Sequence, residues 1–555
     1  MCAPPADDAA KELSPPLRQR GGERVVIYSA SFFKIDGVTL TIRGLLHHIL
    51  ASGGSVLVVT ADDPTQDAVD AFEEAHRGTK VVRAPGGLVP VPGADYYVGI
   101  FMNQGTQRVL EEFDPTVVHI TNPDLFALSA IKWVLRQRPG CALTATLHSN
   151  YVDYAAFYRR EKHPYHSRPQ VTLLLSMFMR HLYSLCPSVY VPTEFMVRKM
   201  VAQNWDTRLG VWGRGVDGSL FCPGRRSNAF RERLGLGPAD VAVLWVGRVV
   251  LEKQPETWAK AVEKVRWELQ EEASAYLGGA NPSSSGDPSR VLGVCVGDGE
   301  ARGSLEGREG IVCLGWMSGE ALATAVASCD VLVFPSEARK TEDGCVETFG
   351  RVTLEAMSSG VPCVVNRECG AHLVQHGENG FTVPVGDAEG YVSSLRALAK
   401  DRDLRTKMGA AGRKKAQGYL TTEVYDSMLE IYRASRVGDI GEVRRRRARV
   451  MLWSIWDIFG LTIYCMLELS KLFTAAVALA THRDGANCAE VKLCLKAFGL
   501  HLRNFRKMLL QAVGAGSRPS RPQGSPFSTS YNVATAASAG SRSGPLSVRA
   551  AAAAA

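Results

Sequence analysis

The sequence predicts an α/β protein built from two parallel-sheet halves, and three observations carry that prediction. Short β-branched or wholly apolar runs alternate with helical stretches, the pattern of a parallel sheet with crossover helices. The alternation runs once from Val25 and restarts at Val241. At 555 residues the chain is too long for one ordinary domain and suits two lobes plus extensions.

Residues 1–22 carry Asp7, Asp8, Glu12 and two Pro-Pro pairs around no apolar core, so they read as a disordered leader, neither secretory signal nor transit peptide. The first half, residues 23–215, opens with strands Val25–Tyr28 and Val56–Thr60, separated by a helical stretch from Val38 to about Leu50. Asp36-Gly37-Val38-Thr39 lies between strand one and that helix, where Gly37 lets backbone approach a phosphate. Strands at Val117–Ile120, Ala142–Leu147 and Val189–Val191 follow. His148 ends the second of these, and Asn150, Tyr151 and Tyr154 occupy the loop beyond it. Gly213-Arg-Gly-Val-Asp217 and Pro223 read as the linker between halves.

The second half, residues 216–420, contains Val241-Ala-Val-Leu-Trp-Val-Gly247, continuous enough to be a strand buried on both faces. Further strands are expected near Val291, Ile311, Val331, Cys363 and Phe381, with helices from Leu404 to Gln417 and Thr421 to Ser435. Residues 278–290 form a surface insertion.

Ligands bind beyond the carboxyl ends of strands in such sheets, and that is where the charged motifs fall. Arg248 and Lys253 follow the Val241 strand directly, a fork and a point charge suited to a diphosphate. Val296-Gly-Asp-Gly299 is a tight turn after another strand, and Gly315-Trp-Met-Ser-Gly-Glu320 comes next. After Val331-Leu-Val-Phe-Pro-Ser336 comes Glu347-Thr-Phe-Gly-Arg-Val-Thr-Leu-Glu355, with the first glutamate at a strand-to-helix turn and the second about two turns into the helix. Taken alone, two such carboxylates are solvated helix-end groups; the four motifs in this order are another matter.

From about Val241 to Pro384 the chain resembles the donor-binding domain of retaining GT-B glycosyltransferases of family four. The resemblance implies a GT-B fold, two Rossmann-like lobes facing across a cleft, with a nucleotide sugar (UDP- or GDP-linked) as co-substrate and no cofactor. It implies His148 beside the donor sugar, Arg248 and Lys253 on the leaving diphosphate, Glu347 on the sugar and Glu355 on the ribose. Gly37, Gly297, Trp316, Met317, Phe349 and Gly350 are the further donor contacts it implies; Asn150, Tyr151 and Tyr154 are expected as acceptor contacts from their place in the loop after His148. A helix at 421–440 is expected to cross back onto the first lobe, as in the family. Two departures stand out: Asp36-Gly37 replaces the usual glycine pair, and the link between Ser336 and Glu347, beside the sugar pocket, is longer than usual. No metal is implied, since Asp401-Arg-Asp403 lies in a late helical segment and reads as a solvated face.

Net charge is +8, and its distribution says more. From Gly441 onward there are 16 Lys/Arg against 5 Asp/Glu, whereas the first 440 residues carry 48 against 51. Residues 441–513 combine an Arg444–Arg447 cluster, an apolar stretch from Val450 to Ala480 and a basic amphipathic pattern through Val491, Phe498, Phe505 and Leu509. The apolar pieces are too short for a clean membrane span, leaving a tilted or re-entrant helix open; the basic helix suits either an anionic membrane surface or packing on the core. Residues 514–555 are Ser/Gly/Pro/Ala-rich and read as disordered. Thirteen cysteines without zinc spacing suit a reducing compartment.

Trp212-Gly-Arg-Gly-Val-Asp217 and Gly315–Glu320 are also similar to segments of sulfoquinovosyl-diacylglycerol synthases and lipid mannosyltransferases. With the basic tail, this implies a glycolipid synthase acting on a diacylglycerol-like acceptor at the cytosolic face of a membrane or organelle, with no nucleic-acid partner. The alternatives are a hexosyltransferase with a soluble or glycan acceptor, and a silent GT-B membrane scaffold.

Overall fold

A computed structural model describes residues 22–435, apart from residues 35, 92–93, 153–168, 204, 206, 278–289 and 337–346. The expected leader, the 441–513 region, the tail, Tyr154 and the long link before Glu347 therefore lie outside the described residues.

The first lobe runs β1 (Arg24–Tyr28), α1 (Gly37–Ala51), β2 (Ser55–Thr60), α2 (Gln66–Ala75), β3 (Thr79–Arg83), β4 (Gly86–Val91) and β5 (Ala94–Gly99). It continues through α3 (Gln104–Phe113), β6 (Val117–Ile120), α4 (Leu125–Gln137), β7 (Ala142–Thr146), α5 (Pro169–Ser184), β8 (Ser188–Val191), α6 (Glu194–Ala202) and β9 (Arg208–Val211). Seven strands form one parallel sheet in the order β3-β2-β1-β6-β7-β8-β9, and β4–β5 is a separate hairpin. Asp36 starts α1 by accepting from the amides of Val38 and Thr39, and Ile42, Leu45, Leu46 and Ile49 then bury one stripe of the helix. The sequence pattern misses β3, the hairpin and β9. Each is short, polar or punctuated by Gly or Pro, so neither alternation nor an apolar run announces it.

The second lobe runs α7 (Asn228–Arg233), β10 (Val241–Val246), α8 (Pro255–Leu277), β11 (Val291–Val296), β12 (Ile311–Cys313), α9 (Gly319–Ser328) and β13 (Val331–Phe334). Then come α10 (Arg351–Ser358), β14 (Cys363–Asn366), α11 (Arg367–Gly370), β15 (Gly380–Val383), α12 (Ala388–Lys400), α13 (Arg402–Ala416) and α14 (Thr421–Ala434). Its parallel sheet has the order β12-β11-β10-β13-β14-β15, so strand order reverses at β10 as it does at β1 in the first lobe. All six residues of β10 are buried, as its unbroken apolar run requires with helices on both faces. Gln254, in left-handed backbone (φ 51°), turns the chain into α8, which begins at Pro255.

What reads as a linker is buried in its middle, at Arg214, Gly215 and Val216, while Asp217 and Pro223 are exposed. Trp212, Arg214 and Val216 are each at most 5% exposed. Val216 donates to Tyr419 O at 2.9 Å and accepts from Thr421 N at 3.1 Å, so the outgoing and returning chains are stitched together. From there α14 docks on the first lobe: Tyr425, Met428, Leu429 and Tyr432, at spacings of 3, 1 and 3, join the core made by β1, β2 and α1. Burial of that stripe, about 1.5–3 kcal/mol per large apolar side chain, makes the last helix an integral part of the first lobe. Trp212 Nε1 donates to Val424 O at 2.9 Å across the same seam.

Candidate active site

The carboxyl ends of β10 and β13 bring the second-lobe motifs together. Lys253 Nζ pairs with Glu347 Oε2 and lies 5.4 Å from the centre of the Phe334 ring, with both charged side chains largely shielded from solvent. The Glu347 carboxylate also accepts from the amides of Phe349 and Gly350. Burial pushes this carboxyl up, but the Lys253 charge, its hydrogen bond and the two amides outweigh burial and hold it below the ordinary value. Gly350, in left-handed backbone (φ 81°), precedes the first residue of α10, a conformation that turns the amides toward the glutamate. The amides expected to meet the donor are thus engaged by Glu347 itself. Arg248 is half exposed, 3.6 Å from the wholly buried Glu252.

Glu355 sits one turn along α10 from Arg351, whose Nε donates to Glu355 Oε1 at 2.9 Å. Burial raises the Glu355 pKa, and the Arg351 charge and hydrogen bond offset only part of that. Arg214, from the buried linker, lies within electrostatic reach of Arg351, Tyr425, Glu347 and Asp36. Burial, then repulsion from Arg351, lowers it to about 10 against the pull of Tyr425 and the two acids.

In the first lobe, His148 is 2% exposed at the end of β7. Its Nε2 shares a 2.8 Å hydrogen bond with Thr146 Oγ1, while Nδ1 is buried without a hydrogen-bond partner. Burial first, then the charges of Arg214 and His119, hold the imidazole well below its ordinary pKa. The backbone carbonyl of His148 accepts from Thr348 Oγ1 at 2.9 Å, which ties it to the loop carrying Glu347. Thr193 Oγ1 adds a second tie, to Thr348 O at 3.3 Å. Asn150 is buried, and Tyr151 accepts from Asn122 Nδ2 at 3.0 Å, bracing the loop from within.

The glycine positions divide. A Cβ at Gly37 would meet nothing within 4 Å, so the protein's own packing does not demand glycine there. Asp36 already caps the first amides of α1, placing a carboxylate where a phosphate was expected. At Gly297 (φ 135°) a Cβ would lie 1.8 Å from Gly247 O, so that glycine is required by the approach of two strand ends. Trp316 is 63% exposed beyond β12, and Met317 packs partly against the core. Among the described residues no group of three or more His, Cys, Asp or Glu is placed to hold a metal ion, and no helix is long and apolar enough to cross a membrane. Asp401 caps α13, with Asp403 in its first turn.

The sequence reading passes over Arg214, Arg351, Glu252 and Thr348. Arg214 was visible only as part of a turn, and Arg351 only as a residue between two glutamates. An arginine four residues before a glutamate on a helix is a local signal for a pair; the burial of Arg214 has none.

Two family models match, together spanning most of the described chain: Glycosyltransferase Family 4 over residues 35–220 and Glycosyl transferases group 1 over residues 227–415. The sulfoquinovosyl transferase SQD2 of Arabidopsis thaliana is 26% identical over 433 residues, covering 74% of this chain and 75% of that protein. A GDP-mannose-dependent alpha-mannosyltransferase of Mycobacterium tuberculosis is 28% identical over 419 residues, covering 75% and 97%. Among solved structures, a sucrose-phosphate synthase from Thermosynechococcus elongatus superposes with a TM-score of 0.54 at 17% identity, over 74% of this chain and 98% of that one. Anabaena Alr3699/HepE, in complex with UDP and glucose, gives 0.52 at 18% identity, over 74% and 100%. The structural likenesses carry the fold, and the sequence matches carry the enzyme class. With one half matching each model in chain order, the chain belongs to the GT-B glycosyltransferases of the family 4 and group 1 type.

Proposed function

We propose that this glycosyltransferase moves a hexose-type sugar, with retention of anomeric configuration, from a UDP- or GDP-sugar to a lipid acceptor. The observation that carries the reading is the shielded Lys253–Glu347 pair at the β10/β13 switch point, whose loop is hydrogen-bonded through Thr348 to His148 of the opposite lobe. Residues of both lobes thus meet where a sugar diphosphate would lie.

The chemistry follows from charge. As the bond from the anomeric carbon to the diphosphate breaks, negative charge grows on the leaving oxygen, and preorganised cations there stabilise the transition state most. Arg248 and Lys253 supply that charge. Lys253 rests on Glu347 until the diphosphate competes for it, and the exchange leaves Glu347 able to accept from sugar hydroxyls. The acceptor oxygen bonds to the anomeric carbon on the face the diphosphate leaves, and its proton passes to the departing phosphate. The exposed Trp316 offers a stacking face for the base, and Glu355 takes the ribose hydroxyls.

The names of the two relatives, a sulfoquinovosyl transferase and a GDP-mannose-dependent mannosyltransferase, support sugar transfer. A lipid acceptor is supported by the basic, apolar sequence beyond Gly441. That region suits attachment to an anionic membrane surface. A soluble acceptor is the alternative reading, and near-neutral charge in the first 440 residues favours it if the tail proves dispensable. The test is release of UDP or GDP from a panel of nucleotide sugars, with and without a lipid extract. Release that needs lipid supports the proposal. Release at equal rate with water-soluble glycans alone overturns the lipid assignment, and no release from any donor overturns the enzyme reading.

A further inference from the structure

We propose that a buried hydrogen-bond chain from the last helix, Tyr432–His119–Thr146–His148, holds His148 in the tautomer that presents Nδ1–H to the donor-sugar pocket. The inference rests on the placement of His148 at that pocket. It adds three positioning residues and a fixed direction for the hydrogen bond.

The geometry is continuous. Tyr432 Oη lies 2.7 Å from His119 Nδ1, His119 Nε2 lies 2.8 Å from Thr146 Oγ1, and Thr146 Oγ1 lies 2.8 Å from His148 Nε2. Tyr432, His119 and Thr146 are fully buried, and His148 is 2% exposed. Trp212 stands edge-on to both imidazoles, with centroids 6.3 Å from His119 and 6.0 Å from His148, which fixes the ring planes. Burial pushes His119 down to about 3, and His148 is likewise held far below its ordinary value, so each ring carries one proton to be placed.

Donor and acceptor counting then selects one arrangement. If Tyr432 donates to His119 Nδ1, His119 Nε2–H donates to Thr146 and the threonine hydroxyl donates to His148 Nε2. Every link is satisfied, and the proton of His148 is on Nδ1, the one atom of the chain left without a partner. Running the chain in reverse strands the Tyr432 proton in the core and leaves Nδ1 an empty acceptor, which gives two unsatisfied groups in place of one. Letting Thr146 accept from both rings strands its own proton. Buried donors without acceptors are the costly case, so the first arrangement prevails. The His148 backbone is tied to Thr348 of the Glu347 loop, and a side-chain N–H that no protein group accepts is suited to a hydroxyl or ring oxygen of the sugar. In this tautomer His148 donates to substrate and takes no proton from the acceptor, which agrees with a departing phosphate doing so.

The test uses the full-length chain with ¹⁵N-labelled histidine, the His148 signals being identified by their loss in H148N. The expected spectrum has Nδ1 protonated and Nε2 bare, in a neutral ring. Y432F keeps the ring packing and removes only the terminal donor; it should mix the two tautomers and lower kcat on the order of tenfold, the worth of one buried hydrogen bond, with donor KM unchanged. Asparagine places an amide N–H near the Nδ1 position, so H148N should turn over about tenfold faster than H148A. An Nε2–H tautomer in the wild type overturns the chain's direction, and so does a Y432F protein whose tautomer is unaltered. H148N no better than H148A overturns donation to substrate. H148A at the wild-type rate instead removes His148 from the pocket, a failure of the proposed site that the tautomer spectrum registers separately.

Discussion

Replacing Lys253 with methionine separates what the Lys253–Glu347 pair does for folding from what it does for turnover. The two side chains are 12% and 19% exposed, so the pair is shielded but not sealed. Losing a charged hydrogen bond costs about 1.5–3 kcal/mol. Stranding the partner carboxylate moves the loss toward the 3–5 kcal/mol of a fully buried pair. The amides of Phe349 and Gly350 still serve Glu347, and partial solvation relieves it further, so about 2–3 kcal/mol is expected for K253M. Turnover should fall by an independent factor on the order of 10², the cost of removing one preorganised charge from the leaving group. The double variant K253M/E347Q discriminates between the two effects. With both charges gone, stability should return to within about 1 kcal/mol of wild type, while nucleoside diphosphate release stays low. Urea unfolding and single-turnover release measure the two quantities on the same samples. If the double variant regains turnover along with stability, Lys253 is only a brace for the loop and the leaving-group assignment is wrong.

Three more outcomes are expected. Glu355→Ala should weaken donor binding by roughly one to two decades, the loss of charged hydrogen bonds to the ribose; an unchanged donor Kd by calorimetry would show that Glu355 serves Arg351 alone. Glu347 has a folded-state pKa below its ordinary value of 4.5, so it contributes stability that is present above pH 4.5 and lost as pH falls through the lowered value. Unfolding curves of E347Q should therefore be flatter than wild type below pH 4.5, and parallel curves would refute the pairing. Truncation after Asp439 should leave transfer to a detergent-solubilised acceptor intact while abolishing salt-sensitive pelleting with anionic vesicles, where each Lys or Arg near the surface adds about 1 kcal/mol; equal pelleting of both forms would move the membrane contact to the first lobe.

How much of this was legible in the chain follows from the range of each signal. An unbroken run such as Val241–Val246 can satisfy its periodicity only as a doubly covered strand, and the stripe Ile42, Leu45, Leu46, Ile49 only as a helix face. Those patterns are complete within a few residues, so the central strands of both sheets and the positions of Arg248, Lys253 and Glu347 beyond strand ends could be read directly. Glu355, expected about two turns into its helix, lies one turn in because the helix begins only at Arg351. The edge strand β3 and the β4–β5 hairpin could not, because their polar and glycine-rich residues satisfy no period.

Partnerships were decided only by tertiary structure. Lys253 and Glu347 are 94 residues apart, and they meet because β10 and β13 are neighbours in the sheet. His119 and Tyr432, 313 residues apart, meet because the last helix returns to the first lobe. Arg214 is a turn residue in sequence and a buried cation in the fold, since the outgoing and returning chains close over it. Local periodicity reports which face of an element is buried. Which groups then share that burial, and so which charges are paired and which proton faces the pocket, depends on strand order and chain return, and no short stretch of sequence contains either.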